Sequence, residues 1–221
     1  MGTGEIQRFA VVVPAADEQD LLGAAIEGVW EAAAHVDGAV ELVVVANGCR
    51  DRTAEIAADH GAHVIIESDL NVGAARAIGA AWALRSGADG LWLACTDADS
   101  LVPHDWLACQ ARYANLGFDL FLGTVRLPRE DQDRHRRWVD RYLAGRTHVH
   151  GANMGVRAAM YHDVGGFRPL VAHEDADLVD RLRLAGALTA WVADVPVTTS
   201  ARTDHRAPEG VGADLERELQ A

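Results

Sequence analysis

Asp97 and Asp99 stand one residue apart at the end of an apolar run, Leu91-Trp92-Leu93-Ala94-Cys95. The run reads as a buried central strand, so both carboxylates fall where it leaves the sheet. In an open α/β sheet the crevice beyond the carboxyl ends of the strands is where ligands bind. A D-x-D pair placed there suits a hard divalent cation, Mg²⁺ or Mn²⁺, holding a diphosphate. One carboxylate meets the ion, and the other meets a ribose hydroxyl or the same ion. Two solvated aspartates in a turn are the plain alternative. A second acidic group, Glu174-Asp175-Ala176-Asp177, opens an amphipathic helix that runs to Gly186, with its carboxylates at the end where the helix dipole favours them.

The elements that must position these groups alternate between strand and helix. Phe9 to Val13 is a β-branched run stopped by Pro14, the pattern of a first buried strand. Asp17 is placed to cap the next helix, in which Leu21, Leu22, Ala25, Ile26, Val29 and Trp30 recur at helical spacing. Val40 to Ala46 repeats the strand pattern, a helix follows from Thr53 to about His60, and Ala62 to Ile66 is a third strand. Gly73 to Ser86 is an alanine-rich helix that leads into the central strand. This alternation predicts βαβ units, a mostly parallel sheet and helices on both of its faces.

Beyond the central strand, the pattern predicts a helix around Asp105 to Ala114 and a strand near Asp119 to Val125. Arg126 to Arg146 reads as a solvated amphipathic helix, or alternatively as a mobile flap over an acceptor. His148 to Gly155 reads as a loop entering a strand, Arg157 to Val164 as a short helix and Gly165-Gly166-Phe167 as a sharp turn. Thr189 to Val192 and Val195 to Thr199 are two late strands, and the tail from Ala207 is Gly-rich, charged and expected to fray. His148 and His150 are spaced like neighbours on one face of a strand, although histidines in loops commonly bind nothing.

Composition limits the chemistry. With 221 residues, 49% hydrophobic and 24% charged, the chain is long enough for one substantial core and is expected to be a single domain. A formal charge of −13 argues against nucleic acid as a partner, because such binding neutralises phosphates. All 20 fixed cations are arginines, which excludes a P-loop or Schiff-base lysine. Cys49, Cys95 and Cys109 are odd in number and lack C-x-x-C spacing, so they read as core or near-core thiols. No apolar stretch approaches the roughly 20 residues of a spanning helix, and no signal-peptide pattern opens the chain. A cytoplasmic location is the resulting expectation.

The order and type of these segments resemble the family 2 glycosyltransferases of the GT-A fold. Val12-Val13-Pro14-Ala15-Ala16-Asp17-Glu18 is similar to the family's V-I-P-x-x-N-E, and Val44-Val45-Ala46-Asn47-Gly48-Cys49-Arg50-Asp51-Arg52-Thr53 to its V-V-D-D-G-S-x-D-x-T. Asn71-Val72-Gly73-Ala74-Ala75-Arg76 resembles N-x-G-x-x-x-A-R-N, and Asp97-Ala98-Asp99 the D-x-D. Gly151-Ala152-Asn153-Met154, Gly165-Gly166-Phe167 and Glu174-Asp175-Ala176-Asp177-Leu178 match the acceptor half. The likeness runs from about residue 9 to about residue 200. It implies a single-domain αβα sandwich with a mostly parallel mixed sheet. Residues from about 9 to 125 would bind the nucleotide sugar, those from about 126 to 206 would bind the acceptor, and 207–221 would form a tail.

The resemblance implies transfer of a sugar from a nucleotide-diphosphate-sugar to an acceptor hydroxyl, usually with inversion. Asp99 would hold Mg²⁺ or Mn²⁺ on the diphosphate, neutralising the leaving group, and Asp97 would meet the ribose or a water beside the ion. Pro14, Ala15 and Asp17 would line the nucleoside pocket together with Asn47. Arg76 would support the diphosphate or the base of the cleft, unless it simply pairs with a surface acid. Asp175 is the first choice for general base and Glu174 the second, with helix capping as the structural alternative. Gly151 and Asn153 are expected on the acceptor side. His205 would be a further metal ligand or would meet a phosphate beside Arg202, with a purely structural role as the alternative.

Where many relatives carry an aspartate for uracil, the match falls on Ala46 and Asn47. An amide offers a donor and an acceptor but no charge, so a rearranged base contact or another nucleotide is implied. The short chain suits a small soluble acceptor. Two other classes compete: a non-catalytic nucleotide-sugar or partner binder of the same fold, and a nucleotidyltransferase. The latter usually needs a lysine and a Gly-rich loop after the first strand, and Pro14-Ala15-Ala16-Asp17-Glu18 supplies neither.

Overall fold

The computed structural model describes residues 5–68, 71–145, 148–203 and 210–220. Along the chain lie β1 (Arg8–Ala15), α1 (Leu22–Ala33), β2 (Ala39–Asn47), α2 (Thr53–Asp59), β3 (His63–Glu67), α3 (Val72–Ala83), β4 (Leu91–Cys95) and β5 (Ser100–Leu101). They are followed by α4 (Trp106–Asn115), β6 (Leu120–Arg126), α5 (Arg129–Gln132), α6 (Arg136–Ala144), β7 (Met154–Arg157), α7 (Ala158–Asp163), α8 (Glu174–Leu184), β8 (Thr189–Thr199) and α9 (Val211–Leu219). Eight strands form one mixed sheet in the order β3-β2-β1-β4-β7-β6-β8-β5. The βαβ half is parallel, as alternation requires, and β7 enters antiparallel between β4 and β6.

Strand alternation divides the core. Phe9, Val11 and Val13 of β1 face α1 and α4 through Leu22, Ile26, Trp106 and Leu107. Ala10 and Val12 face the opposite layer, where they meet Ala80 of α3, Tyr161 of α7 and Leu178 and Leu182 of α8. Each central strand is therefore apolar on both sides, which is why β1, β4 and the Leu42 to Ala46 part of β2 read as unbroken hydrophobic runs. Among the described residues no helix is long and apolar enough to cross a membrane.

The topology gathers chemistry at one end of the sheet. β1, β2 and β4 are parallel, so Pro14, Asn47 and Asp97 emerge together. β7 runs the other way, so the residues before it, His150 to Asn153, arrive at that same end, with Met154 opposite Cys95. β6 and β8 run parallel to each other and antiparallel to β7, so the chain after Thr199 also ends there.

Three expectations are corrected. The two late strands are one, β8, whose register against β6 shifts between Gly123 and Val125. Asn153 fills that irregularity: its Nδ2 donates to Thr124 O at 2.8 Å and Val195 O at 2.9 Å, serving carbonyls that the interrupted ladder leaves over. The tail does not fray throughout, because α9 buries Leu215 against Val125, Leu127 and Trp138. Asp17 does not cap α1, whose N-cap is Leu21. Asp17 instead adopts a left-handed φ of 52° and accepts the Arg50 N–H at 2.7 Å, tying the loop after β1 to the loop after β2.

Candidate active site

A cavity of about 830 Å³ opens at the carboxyl ends of the strands. Its wall includes Pro14 and Ala15 from β1, Asn47 from β2, Arg76 from α3, Asp97 and Asp99 after β4, Gly151 before β7, and Glu174 and Asp175 from α8. Nine of the residues singled out from the sequence are thus brought together in one place. Asp17 and Asn153 are not among the wall residues, and His205 lies outside the described residues.

Arg76 organises the floor. Asn71 caps α3 by accepting the Ala74 N–H at 2.9 Å, and the helix then delivers Arg76, whose side chain is only 4% exposed. Its Nη2 donates to Asp97 Oδ1 at 2.5 Å and its Nη1 to Glu174 Oε1. Burial works against the guanidinium charge, but Asp97 and Glu174 outweigh it, so the pKa of Arg76 is raised and the group stays ionised. The expectation of a surface pair is therefore corrected: this ion pair is buried. Gly151 packs so closely on the guanidinium that a Cβ there would overlap it.

Asp175 is held from two sides. Its Oδ2 accepts the Gly151 N–H at 2.8 Å and its Oδ1 the Ala176 N–H at 2.7 Å. The turn ahead of α8 is itself braced, because Arg181 donates to Val164 O and Gly166 O, each at 2.7 Å, and pairs with Asp177. Glu174 is committed to Arg76, with 6% of its side chain exposed, whereas Asp175 faces the cavity with its helix end fixed. Glu174 is thus spent on the buried guanidinium, while the Asp175 carboxylate is oriented at the cavity wall by backbone N–H groups.

On the other side of Arg76, Asp99 takes a hydrogen bond from Ser100 Oγ at 3.2 Å on Oδ1 and turns Oδ2 to Arg202 at 3.4 Å. Burial, followed by Asp97, pushes its pKa up to about 6. A half-buried carboxylate crowded by another is a donor set that suits a hard divalent cation, whose coordination diphosphate oxygens and water would complete. The one group of three potential ligands that meets within coordination distance among the described residues is elsewhere, at Asp17, Cys49 and Asp51. There Asp51 is engaged by Thr53 and Gln19, and Asp17 by Arg50, so the carboxylates lock turns.

Motif reading missed two parts of the wall. Glu18 was read as the last residue of the opening motif and Arg202 only as a neighbour of His205, and neither reading shows that the two form a bidentate pair. A column of rings forms the far wall: Tyr142 stacks on Trp138 at 4.8 Å and on His148 at 3.9 Å, with His150 tilted beside it at 5.6 Å. Tyr142 Oη accepts the Val125 N–H at 2.9 Å, which fixes α6 to β6. The segment read as one amphipathic helix therefore holds two short helices, of which α6 packs Trp138 inward. Burial pushes the His150 imidazole below its usual pKa, so the ring is neutral near pH 7.

Asn153 is corrected on physical grounds. It is 0% exposed, and besides its two donated bonds its Oδ1 accepts the Trp106 Nε1–H at 2.8 Å, so the amide has no group to offer a ligand.

Comparison with known proteins agrees with this architecture. No curated protein matches the chain in sequence. Among solved structures it is similar to S. aureus TarS 1–349, with a TM-score of 0.64 and 14% identity, covering 90% of this chain and 62% of that one. The chain thus spans less than two thirds of that relative. The mannosyltransferase PcManGT from Pyrobaculum calidifontis, in complex with GDP-Man and Mn²⁺, superposes with a TM-score of 0.63 at 21% identity, over 86% of this chain and 56% of that one. Glucosyl-3-phosphoglycerate synthase from Mycobacterium tuberculosis, in complex with Mn²⁺, UDP-glucose and phosphoglyceric acid, gives 0.58 at 20% identity, over 87% and 71%. At these identities the structural likeness establishes the GT-A fold alone. The profile described as Glycosyl transferase family 2 matches residues 10–167, most of the chain, and so this protein belongs to that family.

Proposed function

We propose that the chain transfers a glycosyl group from a nucleotide-diphosphate-sugar to an acceptor hydroxyl, with inversion and with Mg²⁺ or Mn²⁺ bound at Asp99. The observation that carries this reading is the relay of acidic and basic groups gathered in one cavity. Asp99 and Asp97 stand at one end, Arg76 links Asp97 to Glu174, and Asp175, held by the Gly151 N–H, stands at the other.

In this reading Pro14, Ala15 and Asn47 receive the nucleoside, and Asp97 meets the ribose. When bound, the cation supplies neutralisation of the diphosphate as it leaves. Arg76 holds Asp97 and Glu174 in place without touching the acceptor. Asp175 takes the proton of the acceptor hydroxyl, and the fixed carboxylate lets that oxygen attack the face opposite the leaving group, which inverts the anomeric centre. The part up to about residue 125 serves the donor, and the remainder, with the ring column at Tyr142, serves a small soluble acceptor. Structural relatives form complexes with UDP, with GDP-mannose and Mn²⁺, and with UDP-glucose and Mn²⁺, and these define the first compounds to try.

The test is consumption of UDP-glucose and GDP-mannose with Mn²⁺ present, alongside thermal shifts with UDP and GDP. Asp99→Ala is expected to lose the metal-dependent nucleotide shift. Asp175→Asn is expected to keep that shift while turnover falls about 10²- to 10⁴-fold. Nucleotide binding with no donor consumption by the wild type would instead support a binding protein of this fold.

A further inference from the structure

Arg202 follows β8 and returns across the cavity to the loop after β1. Its Nη1 donates to Glu18 Oε2 at 2.6 Å, its Nη2 to Glu18 Oε1, and Nη2 also lies 3.4 Å from Asp99 Oδ2. Glu18 is buried, and its backbone N–H donates to Thr53 Oγ1 at 2.7 Å, so the main chain that carries this carboxylate is tied to α2. Asp99 is fixed by Ser100 on the oxygen that Arg202 does not approach. All three groups belong to the cavity wall. A guanidinium therefore stands beside the carboxylate oxygen that a divalent cation would need.

We propose that Arg202 is a built-in substitute for the cation: it pairs with Glu18 and offsets part of the Asp99 charge in the metal-free protein, leaves Asp99 when a divalent ion binds there, and then serves the donor diphosphate. This rests on Asp99 being the metal ligand, as proposed above. Two positive groups cannot share one carboxylate oxygen without repulsion, so ion binding and arginine contact at Oδ2 exclude each other. A guanidinium released from one acid presents a planar fork that suits phosphate oxygens. The exchange makes metal and nucleoside diphosphate bind as a coupled pair, with Arg202 as the positioning residue between them.

The consequence is a pair of changes with opposite signs. Arg202→Gln removes the competitor at Asp99, so Mn²⁺ alone binds about tenfold more tightly. The same variant loses a phosphate ligand, so UDP and GDP bind about tenfold more weakly with Mn²⁺ saturating. Arg202→Lys keeps the charge and should stay within about threefold of wild type for Mn²⁺.

Free Mn²⁺ is read by its electron paramagnetic resonance in titrations of the full chain without nucleotide, and nucleotide affinity by calorimetry. Tighter Mn²⁺ in R202Q, lost again in D99N/R202Q, is the expected result, including the case in which only the variant binds measurably. Equal or weaker Mn²⁺ binding in R202Q, no binding in either protein, or a gain that survives D99N would overturn the exchange. Unchanged or tighter UDP and GDP binding in R202Q would overturn the diphosphate role. If R202Q does not fold because Glu18 is left unpaired, E18Q/R202Q compared with E18Q reads the same competition. Failure of the transferase reading shows separately, as no donor consumed by the wild type while the Mn²⁺ titrations still report on the exchange.

Discussion

Replacing Arg76 with methionine puts the largest single demand on the site. The guanidinium is 4% exposed and serves two carboxylates, Glu174 with 6% and Asp97 with 36% of their side chains exposed. Breaking a buried pair by removing one partner costs about 3–5 kcal/mol, because a charge is left without compensation. The Asp97 pair, more than a third exposed, adds no more than about 1 kcal/mol. A loss of about 4 kcal/mol follows for Arg76→Met, equivalent to a Tm lower by about 8–16 °C for a chain of this size.

The loss should depend on pH with a definite sign. Without Arg76, burial raises the Glu174 carboxyl further above its unfolded value. The native state then binds a proton that the unfolded state does not, so the penalty is full at pH 8 and shrinks as pH falls towards the unfolded pKa. Arg76→Met/Glu174→Gln should recover about 2 kcal/mol or more, because the orphaned charge is gone. Urea unfolding followed by circular dichroism at pH 8 and pH 5.5 measures all three quantities. If Arg76→Met falls within about 1 kcal/mol of wild type at pH 8, or the double variant shows no recovery, the claim that this relay is a buried, charged structure is wrong.

Asn153→Leu removes three hydrogen bonds around the β6–β8 irregularity, so a destabilisation of about 2–4 kcal/mol is expected while UDP and GDP affinities stay within twofold. A changed nucleotide affinity with unchanged stability would return Asn153 to the ligand side. Leu215→Ala should release α9 from Trp138, seen as loss of hydrogen-exchange protection over residues 211–219 while β1 to β4 keep theirs. Equal protection in the variant would mean that the helix is held by something other than this contact.

Much of the donor side was legible because burial on both faces leaves a plain trace. β1 and β4 are apolar at every interior position, β2 at all but Glu41, and Asn71 caps α3 as its type and place suggest. The later half was harder to read. Ala193, Asp194 and Pro196 interrupt β8 as a pattern, yet the strand continues because β6 pairs with it on both sides of the irregularity and Asn153 serves the carbonyls between. The polar tail contains few apolar residues, and only their packing on α6 makes a helix of them.

The sequence by itself determined the order of elements, the family, and the end of the sheet at which Asp97, Asp99, Glu174 and Asp175 would gather. Periodicity and local chemistry are properties of neighbouring residues, and they survive without a fold. Partnership of charges is different, since an arginine has the same appearance in a sequence whether it meets water, a phosphate or a buried acid. Only the tertiary structure set Arg76 between carboxylates 21 and 98 positions away and joined Arg202 to Glu18 across 184. Those pairings follow from how strand order converges at one sheet end, where burial turns weak surface attractions into fixed contacts.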